Sequence, residues 1–413
     1  MGSQDRVARR NSCVRGLVPK NCSVIRVGLV ANFYDGWLGG VSYFRNLLTA
    51  LYALPDRQIE AVIFTATRMQ EKYFDGFPAV EIVRSRLFDR GTLPWLMRKV
   101  WIKSFSRDFL LERLLTQQKI SVLSHSGWLG KGASIPTIGW IPDLQHVHLP
   151  DCFDSHESGL RSRECRLHCR YSSAVIVSSY AAQSDLLQLE PDCRSKSHVL
   201  QFVARPADDD RTFCSSLELE EKYRYSGRYF LLPNQFWKHK NHKVVLEALG
   251  HLVRENKQVL VIATGDATDY RNPGHFESLM RRVQELGVEA NFRYLGLVPS
   301  ADLAALMQDA LAIINPSLFE GWSTTVEEAK VLGQRLILSD IPVHREQAPM
   351  YATYFPPNDA KALADILWTV WREPAPDVEE RRTQARRATG HRRIQFAQQY
   401  QNIVLGLVRP RSS

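Results

Sequence analysis

The stretch Leu311-Ala312-Ile313-Ile314-Asn315-Pro316-Ser317-Leu318-Phe319-Glu320-Gly321-Trp322-Ser323-Thr324-Thr325-Val326-Glu327-Glu328-Ala329 decides the fold. Its apolar start predicts a strand ending near Asn315, and its second half predicts a helix starting near Ser323. Glu320 then lies on the connecting loop and Glu328 in the first turns of the helix. Two carboxylates flank the tip of a strand-loop-helix unit, where free backbone N–H groups attract phosphate. Carboxylates accept hydrogen bonds from sugar hydroxyls. Phosphate at the helix tip with a sugar on either side is the outline of a nucleotide-sugar. Thr324-Thr325-Val326-Glu327 fits a capping box, which predicts a structural cap for Glu327.

Outward from this unit the chain alternates strands and helices. In the first half, strands are predicted at Val24–Ala31, Glu60–Thr65, Ser121–His125, Thr137–Ile141 and Ala174–Ser178. A helix carries Val41, Phe44, Leu47, Leu48 and Leu51 at helical spacing, and another covers 179–188. In the second half, strands are predicted at Tyr229–Pro233, Gln258–Thr264, Phe292–Leu295, Leu311–Asn315 and Arg335–Ser339. Helices are predicted at Asn241–Arg254, with Asn241 as N-cap, and at Phe276–Leu286. This alternation predicts an α/β protein of two Rossmann-like domains with parallel sheets, facing each other across a cleft. The expected division is a disordered basic leader over 1–23, a first domain over 24–205, a second over 206–385, and a C-terminal helix over 386–413 returning to the first domain.

Glu320 to Ala329 resembles the E-x7-E signature of retaining glycosyltransferases of family 4, which have the GT-B fold. The following segment, Gly333-Gln334-Arg335-Leu336-Ile337-Leu338-Ser339-Asp340-Ile341-Pro342-Val343-His344-Arg345-Glu346, is similar to that family too. The likeness implies a metal-independent enzyme without a cofactor. It would move a hexose from a nucleotide-diphospho-sugar to a glycan or lipid-linked acceptor, in bacterial surface-polysaccharide assembly. The second domain would bind the donor and the first would face the acceptor. It implies that Glu320 positions sugar hydroxyls and Glu328 the ribose diol. Lys240 and the amides of Gly321, Trp322, Ser323, Thr324 and Thr325 would bear the diphosphate. The family usually places an Arg five or six residues before that lysine; here those positions are Gln235 and Asn234, so its work passes to neutral amides, to Lys238 or to the first domain. Gly39-Gly40, opening the first helix, would face the diphosphate from across the cleft. The segment Trp140–Pro150 would border the reaction centre from the acceptor side. The family's His-Asp pair there has Pro142 in the His position, so Asp143 or His146 is expected to substitute, with His125 as a competitor. A nucleotide-sugar epimerase of the same fold, or a non-catalytic nucleotide-sugar-binding subunit, are the alternatives.

Composition fits this frame. A chain of 413 residues with 44% hydrophobic and 23% charged content is long enough for two cores. Its apolar runs are too short for a transmembrane helix. Seven scattered cysteines suggest reduced thiols in a cytoplasm. Cys165 and Cys169, with His168 beside them, lack a second ligand pair. Asp208 and Asp210 have the spacing of a metal-holding D-x-D but sit in a linker and read as a solvated turn. The net charge of +9 fits phosphorylated substrates or an anionic membrane surface. No nucleic-acid module is visible. The aromatic and basic stretch Gly91–Phe105 is expected to form a helix, either in a membrane interface or packed on the first domain.

Overall fold

The computed structural model describes residues 24–34, 38–205, 215–374 and 378–408. The basic leader, Cys13, Cys22, Cys214, Asp208 and Asp210 lie outside the described residues.

The first lobe is built on strands β1 (Ile25–Val30), β2 (Ile59–Thr65), β3 (Glu81–Arg84), β4 (Val122–Ser124), β5 (Thr137–Ile141), β6 (Ala174–Val177) and β7 (Ser197–Val199). Helices α1 (Leu38–Tyr52), α2 (Leu93–Phe105), α3 (Phe109–Gln117), α4 (Gln145–His148), α5 (Ser155–Tyr171) and α6 (Tyr180–Leu189) connect them. The second lobe carries β8 (Phe230–Pro233), β9 (Val261–Thr264), β10 (Phe292–Tyr294), β11 (Ile313–Asn315), β12 (Leu336–Ser339) and β13 (Ala352–Phe355). Its helices are α7 (Ser216–Tyr223), α8 (His242–Arg254), α9 (His275–Leu286), α10 (Ser300–Asp309), α11 (Thr324–Leu332), α12 (Pro342–Gln347) and α13 (Ala360–Arg372), followed by α14 (Val378–Val408).

Both sheets are parallel throughout, ordered β3-β2-β1-β4-β5-β6-β7 and β10-β9-β8-β11-β12-β13. Their inner strands are buried on both faces, so they are continuous apolar runs such as Ala174-Val175-Ile176-Val177. The strand order reverses between β1 and β4 and between β8 and β11. The loops leaving such a pair diverge, and the crevice between them is where open α/β sheets bind ligands. Lys240 follows β8 and Glu320 follows β11, so topology brings them to one crevice.

The last helix departs from expectation. It is one 31-residue element that starts at Val378 rather than at 386. It packs on α11 and then crosses to α1 and β4. Phe396, Ala397, Tyr400 and Val404 are buried in the core of the first lobe. No helix among the described residues is long and apolar enough to cross a membrane.

Candidate functional site

A cleft of about 440 Å³ lies between the lobes. The second lobe lines it with Asn234, Gln235, Trp237, His239, Lys240 and the run Phe319–Thr325; the first lobe contributes Gly39, Gly40, Tyr43, Trp140, Pro142 and Asp143. Lys240 Nζ donates to Glu320 Oε1 at 2.7 Å. Ser317 Oγ stands 2.7 Å from the same oxygen and 2.7 Å from Asn315 Oδ1, and its single proton serves one of them at a time. Burial would raise the Glu320 carboxyl, but the charge of Lys240, then that of His344, outweighs it and holds the group at about 2. Glu320 is therefore ionised, with Oε2 left for a ligand. Asn241 occupies the N-cap position of α8 as expected, but its side chain makes no capping bond. It sits in the left-handed region (φ 56°), and its side-chain amide donates to the carbonyls of Pro316 and Pro357 at 3.1 and 2.8 Å. That ties the Lys240 loop to the Glu320 loop.

Ser323 caps α11 by accepting from Val326 N at 3.4 Å. The first-turn N–H groups of Thr324 and Thr325 are left without intrahelical partners. The capping box expected at Thr324–Glu327 is absent, because Ser323 takes the cap position and leaves Val326, not Glu327, three residues after it. Glu327 is instead fully buried and bound by Arg392 of α14, by Lys330 at 3.3 Å and by Gln347 at 3.1 Å. Glu328, on the next residue of the helix, has no hydrogen bond or ion pair among the described residues. It is half-buried and lies off the cleft lining. Burial alone pushes its carboxyl up to about 7. Asn234 is buried at the tip of β8, and its Nδ2 has no partner among the described residues. An unmatched amide donor thus stands near the position where the family's arginine is expected.

On the first-lobe side, Gly39 opens α1, and a Cβ there would meet nothing within 4 Å. Asp143 reaches the cleft, but its Oδ1 accepts from Arg161 at 3.0 Å and from Gln145 N at 3.1 Å. The structure does not bring His146 to the cleft. The short helix α4 turns its ring into the lobe, where Nε2 bonds Ser162 Oγ at 3.0 Å. His125 is structural as well: both ring nitrogens are bonded, to Tyr43 Oη at 2.7 Å and Ser124 Oγ at 2.8 Å, and burial lowers its pKa to about 3. Tyr43, missed in the sequence reading, links this cluster to the cleft wall and stacks on Trp140 with centroids 4.4 Å apart. Its place on the apolar face of α1 gave no signal beyond a core residue.

The lobes touch through specific contacts. A Cβ on Gly321 would run into the Pro142 carbonyl and come within 2.8 Å of Asp143 Cβ, so glycine there allows the close approach. Trp322 Nε1 donates to the Phe202 carbonyl at 3.0 Å. Glu346 accepts from the N–H groups of Tyr180 and Ala181, at 2.7 and 3.1 Å, on the first turn of α6. Arg271 pairs with Glu157 at 2.9 Å. These pairings join residues more than 100 positions apart, which no local pattern signals.

The geometry can be set beside known proteins. The second lobe, residues 220–390, matches the family described as Glycosyl transferases group 1. The chain is 31% identical over 159 residues to the O-antigen chain mannosyltransferase RfbU of Salmonella typhimurium, covering 37% of this chain and 40% of that protein. It is 28% identical over 202 residues to O-antigen chain mannosyltransferase B of Escherichia coli, covering 44% and 51%. The matched region thus spans about half or less of these relatives. Anabaena HepE, solved in complex with UDP and glucose, superposes with a TM-score of 0.63 at 17% identity, covering 91% of this chain and 98% of that one. The two facing sheets are those of the GT-B fold expected from the sequence.

Proposed function

We propose that the protein is a retaining hexosyltransferase of the family 4 type. It would move a sugar from a nucleotide-diphospho-sugar to a glycan or lipid-linked acceptor in bacterial surface-polysaccharide assembly, without a metal or cofactor. One observation carries the reading: Lys240 paired with the buried Glu320 at the crevice between β8 and β11, with an unpaired carboxylate, Glu328, on the helix that follows. A lysine already held at 2.7 Å meets a departing diphosphate with little reorganisation. The first-turn amides of α11 and the unmatched amide of Asn234 add donors to the same anion; each hydrogen bond to a charged group contributes about 1.5–3 kcal/mol. Glu328, one helical turn along α11 from the cleft-lining Thr324, accepts from the ribose diol where the nucleoside extends past the cleft lining, and Oε2 of Glu320 accepts from the transferred sugar.

The carboxylates lining the cleft, Asp143 and Glu320, are both engaged by cations. Each is tied to its cation through one oxygen, and Oε2 of Glu320 is given to sugar hydroxyls, so neither is set up as the nucleophile of a double displacement, which supports reaction on one face. The acceptor hydroxyl oxygen bonds to the anomeric carbon as the carbon–phosphate oxygen bond breaks, and its proton passes to an oxygen of the leaving diphosphate. The mannosyltransferase relatives make a nucleotide-activated mannose the first donor to try, and HepE's complex a UDP-linked glucose the second. Acceptor-dependent release of nucleoside diphosphate, with the product keeping the donor's anomeric configuration by NMR, is the expected result. An inverted product would overturn retention. A donor epimerised without acceptor would assign the epimerase instead.

A further inference from the structure

Helix α2 is amphipathic with its apolar face outward. Leu93, Leu96, Met97, Val100 and Trp101 follow the i, i+3, i+4, i+7, i+8 spacing that marks a buried helix stripe. Yet α2 has no buried residue. Leu93 is 68% exposed, Val100 63% and Phe105 63%, and Phe109, at the start of α3, is 46% exposed. The Trp101 ring lies tilted against Phe105 with centroids 4.7 Å apart and stands 6.1 Å from Phe109, so the stripe ends in an aromatic cluster. The opposite face anchors the helix: Arg98 donates to Asp108 at 2.7 Å and lies over the Phe88 ring. A stripe this continuous on a protein surface marks an interaction site.

Charge selects the partner. Residues 90–107 contain Arg90, Arg98, Lys99, Lys103 and Arg107 and no acidic residue. Lys99 and Lys103, one turn apart and exposed, run along one margin of the stripe beside Leu96. A lysine there can bury its stem and lift its ammonium to a phosphate, while tryptophan prefers the headgroup level. Because α2 leaves the C-terminal end of β3, it lies at the edge of the sheet that carries the cleft loops. We propose that α2 is a docking helix for an anionic lipid bilayer. It lies in the interface with Leu93, Leu96, Met97, Val100 and Trp101 among the acyl chains, and it holds the cleft beside the membrane surface. The surface is independent of the donor site.

Flotation of the full chain with vesicles tests this, comparing phosphatidylcholine alone with phosphatidylcholine mixed with phosphatidylglycerol. The protein should float with the anionic vesicles and far less with the neutral ones. Lys99→Gln/Lys103→Gln should weaken binding by roughly 25-fold, at about fivefold for each basic residue near the surface. Leu96→Glu/Val100→Glu should abolish it. Both pairs are exposed, so circular dichroism should match the parent protein. Parent protein that stays with the dense fraction at every composition overturns the proposal, as do variants that bind like the parent. A dimer that Leu96→Glu/Val100→Glu splits, with no vesicle binding, would assign the face to a second copy and overturn it equally.

Discussion

Replacing Glu328 by Gln should stabilise the protein while impairing it. The parent carboxyl has no partner, and burial raises it from 4.5 to about 7. In that window the folded state holds a proton that the unfolded chain has released, so stability falls as pH rises from about 4.5 to 7. At about 1.4 kcal/mol per pH unit, the ionised carboxylate costs up to about 3 kcal/mol above pH 7. Its partial exposure makes that an upper bound. Glu328→Gln keeps the shape and removes the charge. Its melting temperature should match the parent's at pH 5 and exceed it by several degrees at pH 8, since about 1 kcal/mol moves a domain of this size by 2–4 °C. Donor KM should rise at least tenfold at pH 8, because a neutral amide accepts more weakly from the ribose diol than a carboxylate does. The parent's own donor KM should rise as pH drops below 7, and the variant's should not. Equal melting temperatures at pH 8, or an unchanged donor KM, would refute the reasoning.

Lys240→Met leaves Glu320 charged, buried and unpaired, a defect of about 3–5 kcal/mol. Denaturant unfolding should show it, and Lys240→Met/Glu320→Gln should recover most of the stability while turnover stays at least a hundredfold down; recovery of turnover would exonerate the lysine. Gly321→Ala must push Pro142 away and so part the lobes, and small-angle scattering should report a wider molecule with kcat lowered and core stability kept. Chelation with EDTA should leave transfer intact, and loss of activity restored by a divalent ion would reverse the metal-independent reading.

Interior strands were legible because a strand buried on both faces leaves no polar alternation; Ile59–Thr65 and Thr137–Ile141 fall within a residue of their predicted bounds. Of the four edge strands, β10 is read at Phe292–Leu295, but β3, β7 and β13 are short and partly exposed, and Glu81-Ile82-Val83-Arg84 reads as easily as a turn. Lys240 and Glu320 could be named in advance because both follow a strand at a chain position that topology converts into proximity. The side-chain direction of His146 could not, since it depends on a four-residue helix meeting α5. Glu327 read as a cap because its partner, Arg392, lies 65 residues away. Asn241 holds the N-cap position, but its side chain does not cap for a similar reason: two carbonyls from distant loops claim its amide.

The final helix reverses the usual order of assembly on the ribosome. Amino-terminal domains commonly fold as they emerge, but here Phe396, Ala397, Tyr400 and Val404 fill the interior of the first lobe. That interior stays open until residues 396–404 have been synthesised. The nascent first lobe must wait, with apolar surface uncovered, for a plug encoded beyond the whole second lobe.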